Sequence, residues 1–253
     1  MHMAVFMGKL VKNLVAVQWQ YGTLGETLKR TIKAKNLSVA SEIFLGDLLE
    51  RQARRFQDKI YLYYQDRTFS YRDLDQNANR AAHLLKKLGA KPRDGLAIMT
   101  MNAPVYYDLF FGAQKLGMFA VPTNTNLRGN GLAHLLNNSG VSFLVIHPTL
   151  FEFFEKVKAE TPKVRTVIVD DLEEPAPENL PAGVHRLSEL YTDELPTTRP
   201  SERPTVGDLA VLMYTSGTTG LPKGVVYRHG DSVMSMMEVL GRTMVTRDDI
   251  MFT

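Results

Sequence analysis

Apolar and polar positions follow two rhythms along this chain. Between Leu96 and Val169 lie four short apolar runs: Leu96 to Thr100, Phe119 to Pro122, Phe143 to Ile146 and Thr166 to Val169. None alternates with polar residues, and none is long enough for a helix, which is the mark of strands buried on both faces. The stretches between them carry helical spacing: Tyr106 to Leu116, Leu132 to Asn138 and Leu150 to Glu160. Gly117 and Gly140 stand where the first two should stop. Strand and helix in alternation predict an α/β fold, a mostly parallel sheet covered by helices.

The flanks extend this picture. A helix is predicted from Ser41 to Phe56, with Phe44, Leu48, Leu49, Ala53 and Phe56 inward. Ile60 to Tyr64 and Arg67 to Ser70 predict a hairpin around Gln65-Asp66. Ser70-Tyr71-Arg72-Asp73 is a capping-box signal for a helix that ends near Gly89. Residues 170–204 are acidic and proline-rich, a long surface connection with one short helix at Leu187 to Tyr191. Regular structure resumes at Asp208 with a strand, a polar loop, a second strand and a methionine-rich helix from Ser232 to Arg242. Met234, Met236, Met237 and Met244 read as core by default, with a flexible lipid pocket as the alternative.

Residues 1–40 form a separate arm. Met3, Met7, Leu10, Leu14, Val17 and Tyr21 recur at spacings of three and four, while Lys9 and Lys12 interrupt the apolar run. The interruption argues against a membrane span and against a secretory signal. Six basic side chains against Glu26 alone give the arm a charge of +5, leaving −2 for the rest of a chain whose total is +3. Two readings stand: an amphipathic helix lying on an anionic membrane, or a helix docked on the body of the protein. The adjacent basic cluster favours the membrane, with Lys9, Lys12, Leu10, Leu14 and Trp19 as contacts and residues 1–35 as the binding segment. No DNA- or RNA-binding motif accompanies the arm, so nucleic acid is not expected as a partner.

Composition is that of a soluble globular protein, with no cysteine. Disulfides, thiolate metal sites and a cysteine nucleophile are excluded, and a reducing compartment fits. The six histidines are scattered without metal-site spacing.

The densest chemistry lies in Tyr214-Thr215-Ser216-Gly217-Thr218-Thr219-Gly220-Leu221-Pro222-Lys223-Gly224. Glycines let a backbone approach a ligand closely. Converging N–H groups and hydroxyls then suit anionic oxygens, and Lys223 adds a full charge. The spacing is not that of the common P-loop, because Lys223 follows Pro222 and precedes Gly224.

This stretch resembles the nucleotide-binding signature of adenylate-forming enzymes: acyl-CoA synthetases, luciferases and peptide-synthetase adenylation domains. Asn102-Ala103-Pro104, Gly112-Ala113-Gln114-Lys115-Leu116-Gly117 and Asn124-Thr125-Asn126-Leu127-Arg128-Gly129 are similar to the fatty acid transport protein and very-long-chain acyl-CoA synthetase branch. The resemblance implies the N-terminal domain of such an enzyme, incomplete over residues 41–253, with the C-terminal domain absent. It implies activation of a long or very long chain fatty acid by ATP, then transfer to coenzyme A. Thr215 to Lys223 would hold phosphates, and the Thr215 hydroxyl would reach Mg²⁺. Catalytic residues are expected beyond Thr253, so the chain alone is expected to be inactive. The resemblance and the basic arm together imply a cytoplasmic protein, peripheral at the inner face of a membrane. Two other readings remain: a ligase for a carnitine-like or short acid, and a non-catalytic nucleotide-binding or membrane-associated fragment.

Overall fold

The chain enters its sheet through a small N-terminal layer. The structure, a computed structural model, describes residues 44–215 and 221–232. All elements named here lie in the unit Glu42–His229. Helix α1 (Leu45–Phe56) buries Leu45, Leu49 and Ala53. Strands β1 (Ile60–Tyr64) and β2 (Arg67–Ser70) pair antiparallel around Gln65-Asp66, with Gln65 at φ 51°. Helix α2 (Tyr71–Lys87) starts on the expected capping box. Asp73 N donates to Ser70 Oγ at 3.1 Å, and Ser70 N donates to Asp73 Oδ2 at 2.8 Å. These bonds satisfy N–H groups that a helix start leaves orphaned.

Strand β3 (Gly95–Met99), helix α3 (Pro104–Leu116), strand β4 (Phe119–Pro122), helix α4 (Gly129–Ser139) and strand β5 (Phe143–Ile146) follow in alternation. Next come helix α5 (Phe151–Glu155) and strands β6 (Thr166–Val169) and β7 (Val184–Arg186). A four-residue helix α6 (Leu187–Leu190) precedes strands β8 (Leu209–Thr215) and β9 (Lys223–Arg228). The sheet order is β7-β6-β5-β3-β4-β8-β9, and every neighbour is parallel except β8 with β9. The mostly parallel α/β sheet predicted from the apolar runs is therefore present.

Both faces are buried, and residues of one strand divide between them. Leu96 and Ile98 join Phe143, Val145 and Ile168 under α2 and α3. Ala97 and Met99 join Leu144, Ile146 and Val169 under α4 and α5. This explains why the central strands read as unbroken apolar runs. Gly112 of α3 sets the contact with α2: a Cβ there would meet the Ala81 Cβ at 2.8 Å and the Ala78 carbonyl at 2.9 Å. No side chain fits without parting the helices.

Three expectations need correction. The helix predicted from Leu150 to Glu160 is broken into a 3-10 turn (Pro148–Leu150), α5 and a second 3-10 turn (Lys158–Glu160). Val157, at φ −116° and ψ 0°, leaves the helical region, and both Phe154 and Val157 are buried. Residues 170–204 are more than a surface connection. They contribute β7, paired with β6 from Val167–Val184 to Val169–Arg186, and the buried Leu187. The first helix begins at Leu45, with Phe44 as its N-cap; Leu48 and Phe56 are only half-buried. Residues 41–43, the arm of residues 1–40 and the methionine-rich segment of residues 233–253 lie outside the described residues. Among the described residues no helix is long and apolar enough to cross a membrane.

Candidate functional site

The parallel strands β3, β4, β5, β6 and β8 run in one direction, so Met99, Pro122, Ile146, Val169 and Thr215 end at one edge of the sheet. In open α/β sheets this carboxyl edge is where ligands bind. The two stems of the Tyr214 to Gly224 segment, Tyr214-Thr215 at the end of β8 and Leu221 to Gly224 leading into β9, lie at that edge. Register runs from Leu212–Val226 through Met213–Val225 and Tyr214–Gly224 to Thr215–Lys223. Thr215 and Lys223 therefore face each other across the mouth of the loop, and both are exposed. Directly opposed residues of an antiparallel pair share a face, with Cβ atoms about 5 Å apart. The Thr215 and Lys223 side chains therefore leave one face of the hairpin at the ligand edge.

Ser216, Gly217, Thr218, Thr219 and Gly220 lie outside the described residues, as do Lys9, Leu10, Lys12, Leu14 and Trp19. Tyr214, Thr215, Leu221, Pro222, Lys223 and Gly224 are described, and they form the two stems of the loop. The structure accounts for Gly224. A Cβ there would lie 3.2 Å from the Tyr214 ring and 3.1 Å from Leu212 Cδ1. The tyrosine ring lies across its glycine partner, an arrangement that compensates for a missing side chain in a strand.

Two contacts from α4 reach the stems. The Tyr214 hydroxyl donates to Asn138 Oδ1 at 2.6 Å. His134 Nε2 lies 3.1 Å from the Pro222 carbonyl, and because a carbonyl only accepts, Nε2 carries the proton. Burial raises the Tyr214 phenol above its ordinary value, with Ser139 acting the other way, so the group is a neutral donor at physiological pH. Sequence reasoning missed His134 and Asn138. Their only signal is the i, i+4 spacing, which places both on one helix face.

The base of the hairpin is held from below. Buried Gln114 on α3 donates through Nε2 to the Ala210 carbonyl at 2.7 Å. Arg93 Nε bonds Asp208 Oδ1 at 2.9 Å, and Arg228 bonds the Gly207 carbonyl. Beside Gln114, Lys115 is fully buried, with Nζ 2.6 Å from Asp75 Oδ1 and 2.7 Å from Asn79 Oδ1. Burial pushes its ammonium group down from the ordinary lysine value, and Asp75 opposes this. The segment Gly112 to Gly117 is thus architectural: close helix approach, a tie to β8 and a neutralised buried cation.

Asn124 to Gly129 follows β4 at the ligand edge but spends its polar groups locally. Asn126 N donates to Asn124 Oδ1 at 2.8 Å, and Arg128 Nη1 donates to the carbonyls of Thr125 and Leu127. The guanidinium also lies over the Phe153 ring at 3.9 Å. These are turn and stacking contacts.

As to metal, Thr215 offers one hard oxygen ligand beside a ligand edge. Among the described residues no group of three His, Asp or Glu side chains could hold an ion. A magnesium ion there would draw its other ligands from phosphate and water, which is its usual habit.

Comparison with known proteins bears on the family. Residues 49–253 match the family described as AMP-binding enzyme. A fatty acid–[acyl-carrier-protein] ligase, ScoC, of Streptomyces coeruleorubidus is 32% identical over 165 residues, covering 65% of this chain and 29% of that protein. A crotonobetaine/carnitine–CoA ligase of Salmonella typhi is 32% identical over 194 residues, covering 73% of this chain and 36% of that protein. Among solved structures, the anthranilate CoA ligase AuaEII in complex with anthranoyl-AMP superposes with a TM-score of 0.69 at 27% identity, over 78% of this chain and 36% of that one. The chain spans about a third of the length of the curated relatives it matches.

Proposed function

The chain belongs to the AMP-binding enzyme family, and on that premise we propose that it serves the ATP-dependent activation of a long or very long chain fatty acid. The carboxylate attacks the α-phosphorus of ATP, the bond to the β-phosphate oxygen breaks, and acyl-adenylate and pyrophosphate form. Coenzyme A then takes the acyl group and AMP leaves. The observation that carries the reading is the Thr215–Lys223 pair at the mouth of a glycine- and hydroxyl-rich loop on the carboxyl edge. Lys223 offsets charge on the β- and γ-phosphates and on the departing pyrophosphate, and the Thr215 hydroxyl orients the same oxygens. Chemistry of this kind depends on positioning and charge neutralisation. Bound Mg²⁺ would add to that neutralisation, with Thr215 as this chain's ligand.

The fatty acid is supported by the resemblance at Asn124 to Gly129 and by the fatty-acid relative. The carnitine-ligase relative supports a second reading, activation of a short polar acid. Carboxylate-dependent exchange of pyrophosphate into ATP decides between them, in the longest product of the reading frame. A panel of palmitate, a very long chain acid, carnitine and butyrate should give exchange with the long acids. Exchange with carnitine or butyrate alone would overturn that substrate. The 253-residue chain by itself should release no acyl-CoA.

We also propose that residues 1–35 hold the protein peripherally on the anionic inner face of a membrane. Their support is the charge of +5 in the arm and its apolar spacing. Each lysine or arginine near acidic lipid contributes about 1 kcal/mol, and salt screens it. Sedimentation with anionic vesicles should weaken in high salt and vanish without residues 1–35. Equal sedimentation of the shortened chain would end this proposal.

A further inference from the structure

We infer that α4 is the positioning element of the phosphate loop: His134 and Asn138, one helical turn apart, hold its exit at Pro222 and its entry at Tyr214. The inference rests on the reading of Thr215 to Lys223 as a phosphate site. Asn138 accepts the Tyr214 hydroxyl at 2.6 Å, and His134 lies 3.1 Å from the Pro222 carbonyl. Each contact is one residue from a member of the pair at the loop mouth, since Tyr214 precedes Thr215 and Pro222 precedes Lys223. A single rigid helix therefore grips both stems, and the separation of Thr215 from Lys223 is tied to the spacing of two side chains on that helix.

The surroundings show why such a grip is needed. Strand β8 pairs with β4 through the single register pair Ala120–Val211, whereas β3 and β5 share four. Strand β9 is the sheet edge, and Val225 and Val226 are exposed. Tyr214 packs against the core cluster of that face, and the two bonds from α4 add direction to this packing. Gly224 belongs to the same device, because a side chain there would push the Tyr214 ring away from Asn138. His134 contributes a donor of fixed reach, and α4 is itself firmly seated through buried Leu132, Leu135 and Leu136. A positioned phosphate clamp matters because misplacement of reacting groups by about 1 Å can cost two orders of magnitude in rate.

The test reads the loop directly, in the whole chain, by hydrogen exchange of peptides covering residues 214–224, with a parallel titration of magnesium pyrophosphate. His134→Ala and Asn138→Ala should each speed exchange in those peptides by about threefold to tenfold, the scale of one lost hydrogen bond. Peptides of β3 and β5 should not change. His134→Gln, whose amide nitrogen has the reach of Nε2, should restore wild-type exchange; a merely space-filling role would not predict this. Tyr214→Phe should speed exchange at least as much as Asn138→Ala, since it also removes the Ser139 contact, and Asn138→Ala should add nothing in the Tyr214→Phe background. Pyrophosphate affinity should fall in the same variants by a similar factor. Unchanged loop exchange, a rise spread equally over the sheet, or faster exchange with unaltered pyrophosphate affinity would each overturn the positioning role. Wild-type chain that binds no pyrophosphate would instead remove the phosphate site on which the inference rests, while the exchange data would still show whether α4 holds the stems.

Discussion

The centre of the sheet and its β8–β9 end are built on different principles. Strands β3 and β5 are buried on both faces, and Leu96, Ile98, Met99, Phe143 and Val145 are at most 1% exposed. Their position follows from area removed from water, which is non-directional and insensitive to any one contact. The hairpin leaves Met213 47% and Val226 54% exposed. Besides the buried Ala210, Val211 and Leu212, it is placed by named bonds: Gln114 to Ala210 below, Asn138 to Tyr214 and His134 to Pro222 at the tip. The buried centre carries the architecture, and the partly exposed end carries the stems of the loop. Elements that must admit and release a ligand come from the low-stability end of a fold.

The comparison breaks most sharply if the centre proves tolerant. Ile98→Ala should cost about 2–4 kcal/mol, the usual range for a truncated aliphatic core residue. Val226→Ala on the edge strand should stay within about 0.5 kcal/mol. Chemical denaturation of both variants checks this, and equal losses would erase the distinction between the two regions.

A second prediction concerns pH and again belongs to the buried centre. Asp108 on α3 is buried and lies 3.0 Å from the Tyr191 hydroxyl, which is itself 3.1 Å from the Asn77 carbonyl. The Tyr191 hydroxyl donates to Asp108 Oδ2. Burial raises the Asp108 carboxyl to about 7, with the Tyr191 bond and Arg80 opposing. The unfolded carboxyl titrates near 4. The folded state therefore holds the extra proton, and its contribution is full below about pH 4 and lost as pH rises to about 7. The loss is at most about 1.4 kcal/mol per pH unit across that window. Asp108→Asn should lack this decline, so its stability relative to wild type should climb across the window and level off above it. Parallel denaturation curves for the two proteins from pH 4.5 to 8 would refute the protonated carboxyl.

The smallest effect falls on the seam between the regions. Gln114→Leu should cost about 1 kcal/mol and speed exchange in β8 more than in β3, because it leaves the Ala210 carbonyl without its buried donor. Uniform loosening of both strands would show that the tie is not local.

The same contrast explains what could be read from the chain. The central strands were legible because burial on both faces writes itself as an unbroken apolar run. Helix α2 was legible because Ser70 and Asp73 are a local cap. Strand β7 was not, since Val184-His185-Arg186 is short, mixed in polarity and paired on an edge. Helix α5 was overestimated because periodicity continues through Val157 while the backbone turns to bury it. His134 and Asn138 were invisible for a different reason. They meet Pro222 and Tyr214 across 88 and 76 residues, and only the folded sheet brings them together.

The most direct measurement of the account is carboxylate-dependent pyrophosphate exchange by the longest product of the reading frame, with and without Lys223→Ala. Lys223 is exposed at the start of an edge strand, so the substitution should leave the melting temperature within about a degree. Exchange with a long-chain acid should fall tenfold to a hundredfold, the scale of a lost charge-assisted bond of about 1.5–3 kcal/mol. Exchange that survives Lys223→Ala undiminished, in a protein that still folds, would contradict the claim that the β8–β9 loop holds the phosphates.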